Sequence, residues 1–267
     1  MPANATGTVT WTSSDTDIAT VDANGKVTLA DDMDILGEKV IITATCGDYS
    51  AQATINIGGE KFPLWINGER VNSFNREDIL GDGKVFFDGK MLTISNGAAF
   101  SSGGNYAIKS ELEDLNINLD GASTITTSEF QTAISSPWDI NFMGNGQLNI
   151  NGNRAQALMV QNITMSDNVI LDVNVPNYLP INAVSLSVNS ENATLHSVGS
   201  QSAGAAKFSD SFRGVVVDPV GAIWNPDNGL FFLNGSLVYD LTVTGEAGSS
   251  FLLGDVNGDG NVNAGDV

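Results

Sequence analysis

The sequence predicts an all-β fold in which a right-handed parallel β-helix, or β-solenoid, follows a small N-terminal β-sandwich. Charged residues make up only 16% of the 267 residues, and 29 glycines with abundant Asn, Ser and Thr favour short strands joined by turns. Apolar and polar residues alternate with a period of two in the first segment, as in half-buried strands. In the middle of the chain, apolar residues recur every 23 to 25 residues, a suitable length for one solenoid coil.

Residues 1–58 contain the strands of the predicted sandwich. In TVTWTSSDTDIATVDANGKVTLA the alternation marks Trp11 as a core residue. Asn24-Gly25 lies between two apolar runs and predicts a hairpin turn, because both residues tolerate a positive φ. The later stretch KVIITATCGDYSAQATINI repeats the alternation and holds Cys46, the only cysteine of the sequence, which excludes a disulfide framework.

These residues also carry a resemblance. WTSSDTDIATVDANGKVTLA, followed by GEKVIITATCGDYSAQATINI, resembles the bacterial immunoglobulin-like group 2 domain, which is marked by Trp-x-Ser-Ser, Ala-x-Val and a Gly-Lys-Val hairpin. The resemblance implies an Ig-like spacer or adhesion module on a secreted or surface-attached bacterial protein. Strands that usually precede PANATG are missing, so we expect residues 1–58 to be an incomplete domain and the chain to be a fragment.

Residues 59–84 are predicted to be a connector, because Gly58-Gly59 and Pro63 interrupt the strand pattern. The predicted solenoid follows at residues 85–245. Its apolar residues repeat along two series, Ile94, Ile117, Phe142 and Met165 in the first and Ala107, Ala133 and Ala157 in the second.

From about residue 207 the pattern changes to longer strands with turns at 226–229 and 234–235, which predicts a cap over the last coil. The structural alternative for residues 85–245 is an antiparallel β-sandwich or jelly roll.

Residues 254–267, GDVNGDGNVNAGDV, have the spacing of a calcium-binding loop. Oxygen ligands fall at alternate positions, and Gly260 permits the sharp turn that brings a backbone carbonyl to the ion. The predicted calcium ligands are Asp255, Asn257, Asp259, Asn261 (through its carbonyl), Asn263 and Asp266. D-x-N-x-D-G-x-x-N-x-x-D resembles the first calcium loop of a dockerin, here truncated. A complete dockerin would bind a cohesin module in a cellulosome-like system that degrades polysaccharides.

Charge and single residues exclude several functions. With 11 Lys and Arg against 31 Asp and Glu, the net charge is −20, which disfavours nucleic acid and anionic membranes as partners. The sequence contains no run of 18 apolar residues, so it does not predict insertion into a membrane. His196 is the only histidine, so catalysis that needs an imidazole or several nitrogen and sulfur ligands has little support.

Two kinds of site are predicted in the solenoid. For a carbohydrate-binding or adhesion protein, Tyr106, Trp138 and Tyr178 lie in turn-like contexts where rings can stack on sugars. For an enzyme, a polysaccharide lyase or glycoside hydrolase acting on plant polysaccharide, the candidates are Asp120, Asp139 and Arg154. The non-catalytic function is the leading expectation, in a secreted or cell-surface protein. A structural extracellular stalk without a ligand is the third hypothesis.

Overall fold

The computed structural model describes residues 7–30, 35–102, 104–154 and 156–247. In these ranges the protein is built from strands and turns, with no α-helix. The chain divides into two compact units, Met1–Phe62 with Asn72–Phe74 and Pro63–Val71 with Asn75–Val267.

The N-terminal unit holds the first five strands. They are β1 (Thr10–Ser13), β2 (Ala19–Val21), β3 (Val27–Leu29), β4 (Lys39–Cys46) and β5 (Tyr49–Asn56). β4 lies between β1 and β5 in an antiparallel sheet, and β2 forms a hairpin with β3. Buried Ala19, Val40 and Ile42 form the centre of a core against which Trp11 packs, as the alternation predicts. Cys46 is a buried free thiol.

The hairpin turn forms at Asn24-Gly25, in agreement with the sequence. The Asp22 carboxylate accepts the backbone N–H groups of Asn24 and Lys26, both at 2.8 Å. Gly25 has a φ of 80°, and a Cβ atom there would lie 2.6 Å from the Trp11 ring. The position therefore requires glycine both for its backbone conformation and for the close approach of the indole.

The second unit contains a β-solenoid of about five coils, which confirms the predicted fold class. Each coil contributes strands to three faces, named A, B and C in chain order. Face A consists of β9 (Met91–Ser95), β12 (Asp114–Asp120), β15 (Asp139–Gly144), β18 (Asn162–Met165) and the C-terminal part of β20 (Ile181–Val188). Face B consists of β10 (Ala99–Ser101), β13 (Ala122–Thr126), β16 (Gln147–Asn151), β19 (Ile170–Asn174) and β21 (Thr194–Val198). Face C consists of β11 (Tyr106–Ser110), β14 (Thr132–Ser135), β17 (Gln156–Met159) and the N-terminal part of β20.

Coils are numbered 1 to 5 by their face B strands. Equivalent strands of successive coils pair in parallel on all three faces, which excludes the antiparallel jelly roll. Inward side chains at alternate positions are apolar and fully buried, for example Ile117, Phe142 and Met165 on face A. These burial patterns form one continuous apolar interior along the coil axis.

The register corrects one part of the predicted repeat. Ile117 is level with Phe142, and Phe142 with Met165, as the sequence intervals indicate. Ile94, however, is level with Leu119, while Ile117 is level with Leu92. The predicted alignment slipped by two residues, a shift that keeps every side chain on the same face of the strand.

Three strands precede the first coil: β6 (Lys61–Ile66), β7 (Glu69–Asn72) and β8 (Val85–Phe87). β6 pairs antiparallel with β11 through Leu64–Ile66, and β8 pairs antiparallel with β9. The predicted connector at 59–84 thus contains two strands. Leu64, Ile66 and Val71 are fully buried in these strands, so apolar burial outweighs the turn signals of the neighbouring glycines and proline.

The last coil is followed by six strands, of which all but the first depart from the parallel pattern. They are β22 (Lys207–Arg213), β23 (Val215–Asp218), β24 (Ile223–Asn225), β25 (Leu230–Leu233), β26 (Ser236–Leu237) and β27 (Asp240–Thr244). β22 continues parallel to β20, whereas β27 pairs antiparallel with β21 and β23 with β27. Strands β24 to β26 form a small antiparallel sheet whose turns lie at the two predicted positions. There Phe231 packs edge-on against Phe212, with ring centroids 4.9 Å apart.

Candidate functional site

The corner between faces B and C presents exposed rings and polar groups on coils 2, 3 and 4. This corner comprises residues 127–131, 152–154 and 175–180 and is called the aromatic edge. Backbone hydrogen bonds hold its loops one above another: Thr127 N–H donates to the Asn151 carbonyl at 2.8 Å, and Gly152 N–H to the Asn174 carbonyl at 3.0 Å. The edge is therefore a continuation of the regular coil stacking.

Phe130 is the most exposed ring of the aromatic edge. Its side chain is 78% exposed, and its φ of 63° lies in the left-handed region. A residue with a Cβ atom rarely adopts this conformation, and an exposed phenyl ring gains nothing from burial. The loop is held by a hydrogen bond from Phe130 N–H to the Arg154 carbonyl at 2.9 Å. Strain of this kind at an exposed apolar ring favours a binding role.

Tyr178 lies on the same edge, two coils beyond Phe130. Tyr178 is 45% exposed, and its backbone carbonyl accepts a hydrogen bond from the Ser200 N–H at 3.0 Å. Adjacent parallel strands are about 4.8 Å apart, so the backbone positions of Phe130 and Tyr178 differ by about 9.5 Å along the coil axis. Two exposed rings thus occur at a spacing set by the solenoid itself.

Polar groups accompany the two rings. Arg154 is exposed on coil 3, between the coils of Phe130 and Tyr178. Within the part of the chain that the structure describes, no carboxylate lies within ion-pair distance of its guanidinium. Exposed Asn177 donates its side-chain amide to the Asn153 side chain of the coil before. The edge therefore combines apolar rings, amides and a cation without an ion-pair partner in those ranges.

Face A presents a second polar surface. Asn141 Nδ2 donates to Asn116 Oδ1 at 3.0 Å on adjacent coils. Asn162 Nδ2 donates to Asp139 Oδ1 at 2.7 Å, and Ser185 Oγ donates to Asn162 Oδ1 at 2.7 Å. Because these groups bond to one another across the coils, they form a ladder that stabilises the stacking of the strands.

The predicted aromatic residues lie at three separate places. Tyr178 is on the aromatic edge. Tyr106 begins β11 on face C, half-buried and level with Thr132. Trp138 is 42% exposed at the corner between faces C and A, directly before Asp139. The three do not form one surface, and Phe130, which the sequence reasoning missed, is the ring that accompanies Tyr178.

The structure does not bring together the predicted catalytic residues. Asp139 begins β15, whereas Asp120 ends β12 just beyond Leu119, which is level with Gly144 at the far end of β15. Asp139 is level with Asp114, six residues before Asp120, so the two aspartates are separated by about 20 Å along the strand direction. Arg154 lies on the aromatic edge, at a different corner of the coil. A single reaction centre built on these three residues is not formed.

His196 belongs to a cluster that the sequence reasoning also missed. On face B its Nδ1 lies 2.9 Å from Asp172 Oδ1, and its Nε2 lies 3.1 Å from Asp240 Oδ1. Partial burial lowers the pKa of the imidazole, but hydrogen bonds and charges from both carboxylates outweigh it, so the pKa is raised above 6.5. The protonated ring donates to both carboxylates and links β19, β21 and β27.

Among the described residues, no group of three or more His, Cys, Asp or Glu side chains has a geometry that could hold a metal ion. The predicted calcium ligands Asp255 to Asp266 lie outside the described residues.

Residues 4–48 match the family model of the intimin immunoglobulin-like domain. The N-terminal unit is therefore a bacterial immunoglobulin-like domain, which confirms that part of the resemblance noted in the sequence. Such a domain indicates a surface or extracellular protein. The comparisons with curated proteins and with solved structures gave no match to the chain.

The Ig-like domain contains none of the predicted carbohydrate-binding or catalytic residues, and its Trp11 is a core residue. In the described ranges, no helix has the length and apolar content required to span a membrane.

Proposed function

We propose that the solenoid is a non-catalytic carbohydrate-binding or adhesion domain of a secreted or surface-attached bacterial protein, and that the aromatic edge contacts the polysaccharide. The observation that supports this proposal most directly is the pair of exposed rings, Phe130 and Tyr178, on the same edge with Arg154 between them. Aromatic rings stack on the C–H faces of sugars, and a guanidinium group donates hydrogen bonds to hydroxyls.

The aromatic edge suits a sugar better than face A. On face A, Asn116, Asn141 and Asn162 already bond to neighbouring side chains. A ligand there would have to replace satisfied hydrogen bonds, which gives little net free energy. On the aromatic edge, Phe130 and Tyr178 expose apolar surface to water, and covering that surface is favourable.

The modules at the two ends support the same role. The Ig-like domain, which we assign to the group 2 type from its Trp-x-Ser-Ser and Gly-Lys-Val elements, would act as a spacer. The calcium-loop spacing from Asp255 to Asp266 supports a dockerin that, when complete, attaches the protein to a cohesin module. The resulting protein would hold a polysaccharide near the enzymes of a cellulosome-like assembly.

One observation favours glycoside hydrolysis as a second candidate function. Asp114 is level with Asp139 on adjacent strands of face A, beside the exposed Trp138. Strands about 4.8 Å apart can place two carboxyl groups near the separation of about 5 Å used by retaining hydrolases. Asp139 is already positioned by the Asn162 amide.

The test is depletion of the purified protein by insoluble plant polysaccharides, with soluble polysaccharides assayed for released reducing or unsaturated sugar. We expect depletion without product. Phe130→Ala combined with Tyr178→Ala should reduce binding by about 100-fold, from the loss of two stacking contacts of about 1.4 kcal/mol each. Tyr49→Ala is the matched control, because it removes an exposed ring from the Ig-like domain and none from the solenoid.

Unchanged depletion by the double variant would refute the role of the aromatic edge. Release of sugar that disappears in Asp139→Asn would support hydrolysis instead. Repeating the depletion with calcium and then with a chelator tests whether binding depends on that cation.

A further inference from the structure

We infer that the aromatic edge binds a neutral, extended β-1,4-linked glycan lying parallel to the coil axis, with one sugar residue on each of coils 2, 3 and 4. This inference rests on the proposed function and adds to it the class of the polysaccharide and its direction on the protein. Three observations carry it: the spacing of the site, the hydrogen bonds that hold its loops and its charge.

The spacing comes from the parallel register. Phe130, Arg154 and Tyr178 lie on consecutive coils, and each coil advances by one strand separation of about 4.8 Å. An extended β-1,4-linked chain advances by nearly the same length per sugar. In such a ribbon every second sugar has the same orientation, so rings two coils apart meet equivalent sugar faces. An α-1,4-linked chain curves and would leave a straight edge after one contact.

The middle position suits the edge of a sugar. Arg154 presents N–H donors only, and in the described ranges its guanidinium has no ion-pair partner. In the ribbon, the hydroxyl groups of each sugar are equatorial and lie along the two edges, where a long, exposed arginine side chain beside the middle sugar can reach them. The guanidinium can therefore donate hydrogen bonds to hydroxyl oxygens at the middle subsite.

Hydrogen bonds hold the loops of the site in place. Phe130 is fixed to coil 3 by its N–H bond to the Arg154 carbonyl at 2.9 Å, and Tyr178 to coil 5 by the bond from Ser200 at 3.0 Å. Gln131 Nε2, next to Phe130, donates to the Gly104 carbonyl at 2.5 Å and ties the same loop to coil 1. Little conformational entropy is lost when a site of this kind binds a chain.

The charge of the protein favours a neutral ligand. A net charge of −20 repels an anionic polysaccharide over most of the surface, and Arg154 supplies one positive charge at the edge. A neutral glycan avoids this repulsion and still receives the guanidinium hydrogen bonds.

The experiment is calorimetric titration of the full chain with β-1,4-linked gluco-oligosaccharides of two to six units, with α-1,4-linked gluco-oligosaccharides as the linkage control. Affinity should rise about 10-fold from two to three units, because the third sugar adds a second stacked ring, and change little beyond three. Phe130→Ala should remove this increase, and Phe130→Tyr should retain it. Tyr49→Ala, which removes an exposed ring from the Ig-like domain, should leave the whole length series unchanged.

The outcomes separate the two proposals. If the wild-type protein binds none of the oligosaccharides and no insoluble polysaccharide, the proposed function fails. If it binds polysaccharide but shows no increase from two to three units, or binds the α-linked series equally well, only the geometry inferred here is refuted. An increase that persists in Phe130→Ala would likewise contradict it.

Discussion

The cluster of Asp172, His196 and Asp240 predicts that stability falls as the imidazole loses its proton. The folded-state pKa of His196 is raised above the ordinary 6.5, because two carboxylates accept hydrogen bonds from the ring and outweigh the effect of partial burial. A raised pKa means that the contribution to stability is complete below about 6.5 and is lost as pH rises through the folded-state pKa.

The magnitude follows from the exposure of the three side chains, which is 37% for His196, 38% for Asp172 and 57% for Asp240. Pairs this accessible are screened by water, so each contributes about 0.5 kcal/mol and the cluster about 1 kcal/mol. With a denaturant slope of about 2 kcal/mol per molar urea, the loss corresponds to about 0.5 M in the unfolding midpoint.

The assay compares urea unfolding of the wild type with that of His196→Gln at about pH 5.5 and about pH 9. Glutamine keeps a hydrogen-bonding side chain but carries no charge at either pH. The wild type should be the more stable protein at the lower pH, and the difference should shrink at the higher one. A difference between the two proteins that is the same at both pH values would refute the ionic role of the cluster.

Three further predictions concern the two cores. Phe142→Ala removes a fully buried ring from the interior of the solenoid and should lower the free energy of unfolding by about 3–5 kcal/mol. Ile170→Ala, at a position 36% exposed, should lower it by less than about 1 kcal/mol. Equal urea midpoints for the two variants would contradict the inward orientation of Phe142. Gly25→Ala places a methyl group against the Trp11 ring at a φ of 80° and should destabilise the Ig-like domain by about 2 kcal/mol. Tryptophan fluorescence during unfolding measures this loss. A gain in stability would show that the turn tolerates the side chain. The Cys46 thiol is 3% exposed and should react with a thiol reagent only when the domain unfolds, and rapid labelling of the native protein would be inconsistent with its burial.

The coil repeat was predictable because burial imposes it on the sequence. Phe142 and Met165 are spaced as the register requires, and the same is true of Ile117 and Phe142. The slip at Ile94 arose because strands alternate with a period of two, so an alignment shifted by two residues leaves the apolar pattern unchanged. Gly58-Gly59 and Pro63 predict a connector where β6 and β7 form, because a short alternating run is a weaker signal in the sequence than glycine and proline.

The site was less predictable, because its members meet through stacking of coils. The sequence predicts Tyr178 and Arg154 for two different sites and does not single out Phe130. Phe130 and Arg154 are 24 residues apart, as are Asp172 and His196, and each pair is level on adjacent coils. A search for polar and aromatic residues one coil length apart in the sequence would indicate both pairs. Asp240 could not have been found in this way, because β27 returns antiparallel and breaks the repeat.

The antiparallel strands at the two ends of the solenoid have a consequence for its assembly. A parallel array with a free edge can be extended by a further strand, from the same chain or from another molecule. Here β6 and β8 reverse the direction at the start, and β27 reverses it on face B at the finish. The parallel register thus ends at these three places, whereas in the described ranges β10 on face B and β22 beside β20 remain edge strands of their sheets. Duplication or deletion of whole coils between the reversals would change the length of the scaffold and leave the reversing strands intact.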